Sequence, residues 1–187
     1  MNKNLLRGEL ARLVMEDPQT IAEAFSKWSR DSEFDRLSST DLAQPRSPKK
    51  IKEWIDKELE KEHSNFYWFM IRSLSDDRLI GDIGLQVNGW NHGESFVGIG
   101  LGERETWNKG YGSDAMRIIL RYAFTELNLH RVSLNVFEYN PRAIRAYEKT
   151  GFVHEGRIRQ YLKRDGRRWD LVFMGILQEE WEQNNPK

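Results

Sequence analysis

The sequence predicts one α/β domain built on a mixed, largely antiparallel sheet, and three observations carry that reading. Apolar residues recur at helical spacing through much of residues 18–61, and from Asn65 the period changes to two. The period-two segments come as hairpins, separated by clusters of turn residues, both before and after the middle of the chain. Between those hairpins lies one strand–turn–helix–strand crossover, residues 96–138, and no other. A chain of 187 residues suits a single domain spanning 1–187, able to bury on the order of 70% of its unfolded surface.

The elements follow in order. Residues 5–14 alternate loosely and contain Leu10, Leu13 and Val14, which predicts a first strand. Asp17-Pro18 reads as an N-cap followed by proline at the first helical position, and Ile21, Ala24, Phe25 and Trp28 continue on one face. Residues 30–48 are polar and weakly periodic, a loop holding at most one short helix. Ser47-Pro48 repeats the cap signal for a helix over 48–61, with Ile51, Trp54, Ile55 and Leu59 inward and a Lys/Glu face in solvent. An aromatic strand over 66–71 follows, in which Phe66, Tyr67, Trp68 and Phe69 are expected to build core. Ser75-Asp76-Asp77 turns the chain into a strand over 78–87, and residues 88–93 turn it again into a strand over 94–102. A helix over 110–127 presents Ala115, Met116, Ile119, Leu120 and Ala123, and a strand over 131–138 presents Val132, Leu134 and Val136. Asn140-Pro141 starts a third capped helix that ends near Thr150-Gly151. Strands over 152–159 and 168–177, joined through Lys163-Arg164-Asp165-Gly166, complete the chain.

Composition excludes several classes of function. Twenty-nine Lys and Arg balance 29 Asp and Glu, so no global field favours nucleic acid or an anionic membrane. There is no cysteine, which removes disulfides, thiolate metal sites and a cysteine nucleophile. The N-terminal residues lack the apolar core of a signal peptide, and no run of about 18 apolar residues occurs, so a soluble, cytoplasmic protein is expected. His63, His92, His130 and His154 show no metal-ligand spacing, and no metal is expected. The basic cluster Arg157, Arg159, Lys163, Arg164, Arg167 and Arg168 reads as a solvated hairpin.

The chemistry is concentrated at Trp107, Asn108, Lys109, Gly110, Tyr111, Gly112 and Ser113, where the glycine-rich strand Phe96-Val97-Gly98-Ile99-Gly100-Leu101 gives way to a helix. A helix start leaves four N–H groups without helical partners and carries partial positive charge, a setting that binds phosphates. Gly110 and Gly112 let a diphosphate approach the main chain without a Cβ in the way. Gly110-Tyr111-Gly112-Ser113-Asp114-Ala115 also satisfies the dinucleotide pattern G-x-G-x-x-A, with Glu138 downstream. A doubly wound nucleotide fold, however, needs further strand–helix units than the single crossover supplies. The alternative rests on Asn140 and Tyr147, seven residues apart, nearly two helical turns, which places both side chains on one face about 10 Å apart along the axis. Each taken alone also reads as structure, Asn140 as a plain N-cap and Tyr147 as a half-buried aromatic.

Together, Trp107-Asn108-Lys109-Gly110-Tyr111-Gly112, Asn140, Tyr147 and Gly151-Phe152 resemble the acetyl-CoA signature of the GNAT superfamily of N-acetyltransferases. Leu13 before Asp17-Pro18, Leu79-Ile80-Gly81 and the closing Asp170-Leu171-Val172 are similar to its RimJ/RimL-like branch. The resemblance implies a GNAT-like sheet with two central parallel strands splayed apart and helices on both faces. It implies that acetyl-CoA is the cosubstrate, its pyrophosphate held by the backbone of Trp107 to Ser113 and its pantetheine arm along Ile99, Gly100 and Leu101. It further implies that Asn140 contacts the cofactor, that Tyr147 protonates the departing thiolate, and that a primary amine attacks directly, without an acetyl-enzyme. The acceptor would be a small amine or a protein N-terminus, and homodimers are common among members.

The amine must also lose a proton, which calls for a carboxylate, a histidine or a water chain. Where certain members carry a catalytic Glu on the strand before the matched Asn, this chain has Asn135. Glu138, Glu103 and Asp82 qualify by position only and read as surface or loop acids, so the base stays unassigned. Asn108 replaces a common glycine of the signature, and asparagine tolerates the left-handed backbone that such a turn needs. The rival reading from another class is a CoA-binding module that regulates or docks without catalysis.

Overall fold

Seven strands make one sheet in the computed structural model, which describes residues 4–61 and 65–185. In chain order they are β1 (Ala11–Val14), β2 (Phe66–Ser73), β3 (Leu79–Gly89), β4 (Glu94–Leu101), β5 (Arg131–Phe137), β6 (Val153–Arg164) and β7 (Arg167–Leu177). Across the sheet they run β1-β2-β3-β4-β5-β7-β6, every neighbouring pair antiparallel except β4 and β5. The predicted mixed sheet with one crossover is therefore the observed one. His63 lies outside the described residues.

Three helices begin where cap and proline predict. The Asp17 carboxylate accepts from the N–H of Gln19 and Thr20 ahead of α1 (Pro18–Trp28). Ser47 Oγ accepts from Lys50 ahead of α3 (Pro48–Leu59), and Asn140 Oδ1 from Ala143 ahead of α5 (Pro141–Glu148). In α4 (Tyr111–Thr125), Ala115, Met116, Ile118, Ile119, Leu120, Ala123 and Phe124 are buried against one face of the sheet. Helices α1 and α3 bury Ile21, Ala22, Ile51 and Ile55 with Met70 on the other face. Tyr67 and Phe69 turn to the α4 side, whereas Trp68 belongs to the side of α1 and α3. The expected aromatic core is thus divided between two layers, as a period of two requires.

Three segments depart from expectation. Only residues 11–14 of the predicted first strand are strand, because the chain before them doubles back: Leu13 N–H donates to the Leu6 carbonyl and Gly8 N–H to that of Ala11. The polar stretch 30–48, by contrast, holds one short helix as expected, α2 (Ser32–Ser38), capped by Asp31, whose Phe34 is buried. The last hairpin is longer than predicted, since β6 continues to Arg164 through two register shifts and reverses at Asp165 and Gly166, both with positive φ. An unanticipated helix, α6 (Gln178–Asn184), follows β7 directly. Its sequence is nearly all polar, and it is anchored by a single ring, Trp181 against Phe124 at 5.5 Å between centroids.

The feature that matters for function is where β4 and β5 part. They pair only at Glu94/Arg131, Ser95/Val132 and Phe96/Ser133. Beyond that point β4 stays with β3 as far as Leu101, and β5 stays with β7 as far as Phe137. A wedge therefore opens between the only parallel strands, as the splayed arrangement implies.

Candidate active site

The wedge widens into a cavity of about 460 Å³. Its walls come from β4 (Gly98, Ile99, Gly100, Leu101), the turn (Trp107, Asn108, Gly110, Gly112, Ser113), β5 (Asn135, Phe137) and α5 (Asn140, Arg142, Tyr147). Helix α2 adds Phe34, Leu37 and Ser38. Of the residues expected to hold the cosubstrate or protonate its thiolate, Lys109 and Tyr111 do not line it, and neither do the acids Asp82, Glu103 and Glu138. Tyr111 is turned away, its hydroxyl 3.2 Å from Ser73 Oγ.

The wall of β4 is an open strand edge. Gly102 N–H donates to the Ile80 carbonyl, so by antiparallel alternation Gly100 and Gly98 exchange hydrogen bonds with β3. Ile99 and Leu101 then direct their main-chain groups toward the missing half of β5. The Leu101 carbonyl is taken by Trp107 Nε1 at 2.7 Å, which fixes the indole at the mouth of the turn. An extended ligand can pair with what is left, as an added strand would.

The turn is built to leave donors free. Asn108 and Gly110 both have positive φ, 60° and 90°, the left-handed backbone that asparagine tolerates and glycine prefers. Within the described residues the N–H groups of 108–113 meet no acceptor, and the first backbone bond of α4 is Asp114 N–H to the Gly110 carbonyl. The one acid in the first turn of α4 does not compete for these donors. Asp114 is buried and points backward, its carboxylate accepting from the N–H groups of Glu9, Leu10 and Ala11 at 2.9–3.1 Å. Gly110→Ala is expected to lower stability by about 1–2 kcal/mol, because alanine is strained at this φ and its Cβ would lie 3.1 Å from Leu10 Cδ1. Thermal unfolding measures it, and an unchanged midpoint would show the turn to be slack.

Sequence reasoning did not single out the cations. Arg142, Arg145 and Lys149 line the cavity from α5, and Arg142 lies over the Trp107 ring, 3.8 Å from its centroid. Burial pulls its pKa down, yet a guanidinium stays charged at any ordinary pH. The 3–4-residue spacing of the three along one short helix was a legible signal.

Asn140 and Tyr147 share the cavity as their spacing predicts. The carbonyl of Asn140 caps α5, so its plain structural role is filled, while its amide NH2 donates to no acceptor among the described residues. Tyr147 is half-buried against Phe152, ring centroids 6.1 Å apart, and its hydroxyl has no hydrogen-bond partner among the described residues. Burial pushes its pKa up to about 12, so the phenol keeps its proton throughout the physiological range.

Of the three acids named by position, Glu103 and Glu138 lie in loops as expected and Asp82 does not. Glu103 is buried and accepts from Trp28 Nε1 and Lys27, which occupies it structurally. Glu138 accepts from the Asp170 N–H at 3.1 Å, and Asp82 is neither a surface nor a loop acid but lies within β3. In the basic hairpin Arg164 is not merely solvated. Its guanidinium donates to the carbonyls of Arg36 and Ser39 and to the Tyr139 hydroxyl, pinning the C-terminal end of α2 over the cavity. The N-terminal end is held by Arg104, paired with Asp31 and Glu33. No group of His, Asp and Glu among the described residues is arranged to hold a metal ion.

Comparison with known proteins places this architecture. The pattern of the acetyltransferase (GNAT) domain matches residues 11–153. The SPbeta prophage-derived uncharacterized N-acetyltransferase YokL of Bacillus subtilis (strain 168) is 30% identical over 142 residues, 75% of this chain and 77% of that protein. The uncharacterized N-acetyltransferase p20 of Bacillus licheniformis is 29% identical over 175 residues, 94% of this chain and 95% of that protein. Among solved structures, spermidine N-acetyltransferase from Vibrio cholerae in complex with CoA and spermine superposes with a TM-score of 0.77. That match covers 91% of this chain and 96% of that one at 24% identity, a likeness of fold. With the family pattern spanning the wedge, the turn and the capped helix, this chain belongs to the GNAT acetyltransferase family and is an N-acetyltransferase.

Proposed function

We propose that the protein transfers the acetyl group of acetyl-CoA directly to a primary amine. The observation that carries this reading is the row of unpaired N–H groups at 108–113 sharing one cavity with the unpaired, protonated hydroxyl of Tyr147. The residues fit the cosubstrate: donors and helix dipole at the turn suit the diphosphate, and Arg142, Arg145 and Lys149 add positive charge. The edge of β4 at Ile99, Gly100 and Leu101 suits an amide-bearing arm. The bound cosubstrate supplies the activated acetyl group; the protein orients it and manages the protons. Ile99 N–H faces the gap and stabilises negative charge developing on the thioester oxygen. Asn140 holds the arm through its amide NH2, and Tyr147 protonates the sulfur as it leaves. No nucleophilic cysteine exists to carry the acetyl group, which favours direct attack. We assign the chain to the RimJ/RimL-like branch on Leu79-Ile80-Gly81 and Asp170-Leu171-Val172, with either a small amine or a protein N-terminus as acceptor.

Acetyl-CoA at 100 times its dissociation constant is expected to stabilise the fold by about 2.7 kcal/mol, read as a higher unfolding midpoint. A panel of polyamines, alkylamines and N-terminal peptides is expected to release free CoA with at least one acceptor. No midpoint shift at millimolar acetyl-CoA would sink the proposal, and a shift without turnover across the panel would mark a non-catalytic CoA-binding module.

A further inference from the structure

On the α1 side of the sheet, Asp82 lies in a row with Met70 and Gly100, and Gly84 in a row with Trp68 and Gly98. Two neighbouring positions of β4 are therefore bare on this face. A Cβ built on Gly98 would meet nothing within 4 Å, and one built on Gly100 would lie 3.0 Å from Asp82 Oδ1 and 3.2 Å from the Phe34 ring. Asp82 Oδ1 and the Phe34 edge thus close over Gly100 at near-contact distance, beside open space over Gly98. Both glycines line the cavity.

The two oxygens of Asp82 differ. Oδ2 accepts from Trp68 Nε1 at 3.0 Å, whereas Oδ1 receives no hydrogen bond from another residue. Oδ1 stands over Gly100, one position along this face of β4 from the open Gly98. Among the described residues Asp82 has no cation of its own. Of the charged side chains on the helices of this face, Lys27 pairs with Glu103, Asp35 with Arg46, Arg36 with Asp165 and Lys52 with Asp56, and among the described residues none pairs with Asp82. β2 and β4 turn only Trp68, Met70, Gly98 and Gly100 toward it. A half-buried carboxylate left without a counter-ion, beside the strand proposed to hold the thioester, is a vacancy for a positive charge.

We propose that Asp82 Oδ1 receives the ammonium group of the acceptor and takes its proton, which makes Asp82 the base of the reaction and the acceptor an alkylammonium. The inference rests on the acetyl-transfer reading above. A carbonyl paired to β4 lies near the plane of the sheet, and attack on it comes from above that plane, the side where Gly98 leaves room and Asp82 Oδ1 stands over the next position, Gly100. The ammonium gives one proton to Oδ1, the N–C bond forms and the C–S bond breaks. The sulfur leaves with the proton of Tyr147, and the second proton lost from nitrogen returns to that tyrosine through water. The first passes from Asp82 to solvent, so ammonium plus thioester gives amide, thiol and one proton. Burial raises the Asp82 pKa to about 6, which makes the group a stronger base than an exposed carboxylate yet mostly ionised at neutral pH.

The test is Asp82→Asn, assayed by CoA release with ethylamine and with trifluoroethylamine, an amine already unprotonated at neutral pH. At pH 7.5 the variant is expected to lose about 10²-fold in kcat/KM with ethylamine and far less with trifluoroethylamine. The wild-type acid limb near pH 6 is expected to vanish. The unfolding midpoint and its rise with CoA separate this role from a structural one. Because the folded state binds the Asp82 proton more tightly than the unfolded chain, ionising it opposes folding above about pH 6, an effect relieved as pH falls. Asparagine removes that opposition and is expected to raise the midpoint at pH 7.5 by a few degrees, roughly. Equal losses with both amines, or an unchanged acid limb, would overturn the assignment. Wild-type silence toward every amine would strike the acetyl-transfer reading and this inference with it.

Discussion

Tyr147→Phe is expected to lower kcat by about 10²-fold or more while changing the affinity for acetyl-CoA by only a few-fold. Removing one oxygen leaves the ring on Phe152, so packing and the cavity wall survive. What disappears is the cavity's unpaired phenol, protonated at every ordinary pH because burial holds its pKa near 12. A thiolate leaving group then has to depart unprotonated or wait for water. Steady-state kinetics with the best amine acceptor, paired with calorimetric titration of CoA, separates the two effects. Matching losses in turnover and CoA affinity would make the tyrosine a structural residue.

The largest effect on stability is expected at Asp114, far from any acetyl group. Its carboxylate satisfies three consecutive main-chain donors, Glu9, Leu10 and Ala11, while sitting at the positive start of α4. Asp114→Ala strands those donors where Ala11 is fully buried, and a cost of about 3–5 kcal/mol follows. For a chain of this size the unfolding midpoint falls by roughly 10 °C. Asp114→Asn, which keeps one acceptor oxygen, is expected to fall between. A loss under about 1 kcal/mol for the alanine variant, measured by denaturant titration, would mean that the turn at residues 8–11 finds other acceptors.

Much of this architecture was legible from local signals. The caps at Asp17, Ser47 and Asn140 and the glycine turn are short-range chemistry, and each starts its helix at the predicted place. Asn140 and Tyr147 reached one cavity because helical spacing alone puts them there. The misses share a different cause. The doubling back at residues 4–11 depends on Asp114 and on Arg121, whose guanidinium donates to the carbonyls of Leu5 and Arg7, both more than a hundred residues away. Helix α6, the one not expected, rests on a single ring, Trp181. Even the expected α2 shows almost no periodicity, because one ring, Phe34, and three arginines from outside the helix, Arg46, Arg104 and Arg164, hold it. Asp82 looked ordinary because nothing in sequence tells an acid with a counter-ion from one without. Pairing between β3 and β4 brings Gly100 beside it, and only the folded sheet displays that vacancy.

The insertion of β7 between β5 and β6 has a consequence for biosynthesis. When residues 131–137 leave the ribosome, their one long-lived partner, β7, has not been made, and the three bonded positions shared with β4 are a weak hold. The strands from β1 to β4 can pair as they emerge, because β1 with β2, β2 with β3 and β3 with β4 are joined without any later strand. The wall that carries Asn140 and Tyr147 must wait for the final strand to thread into place. The candidate cleft is accordingly expected to be the last part of the nascent protein to mature, and a polypeptide stalled before Leu171 would hold the glycine turn with nothing opposite it.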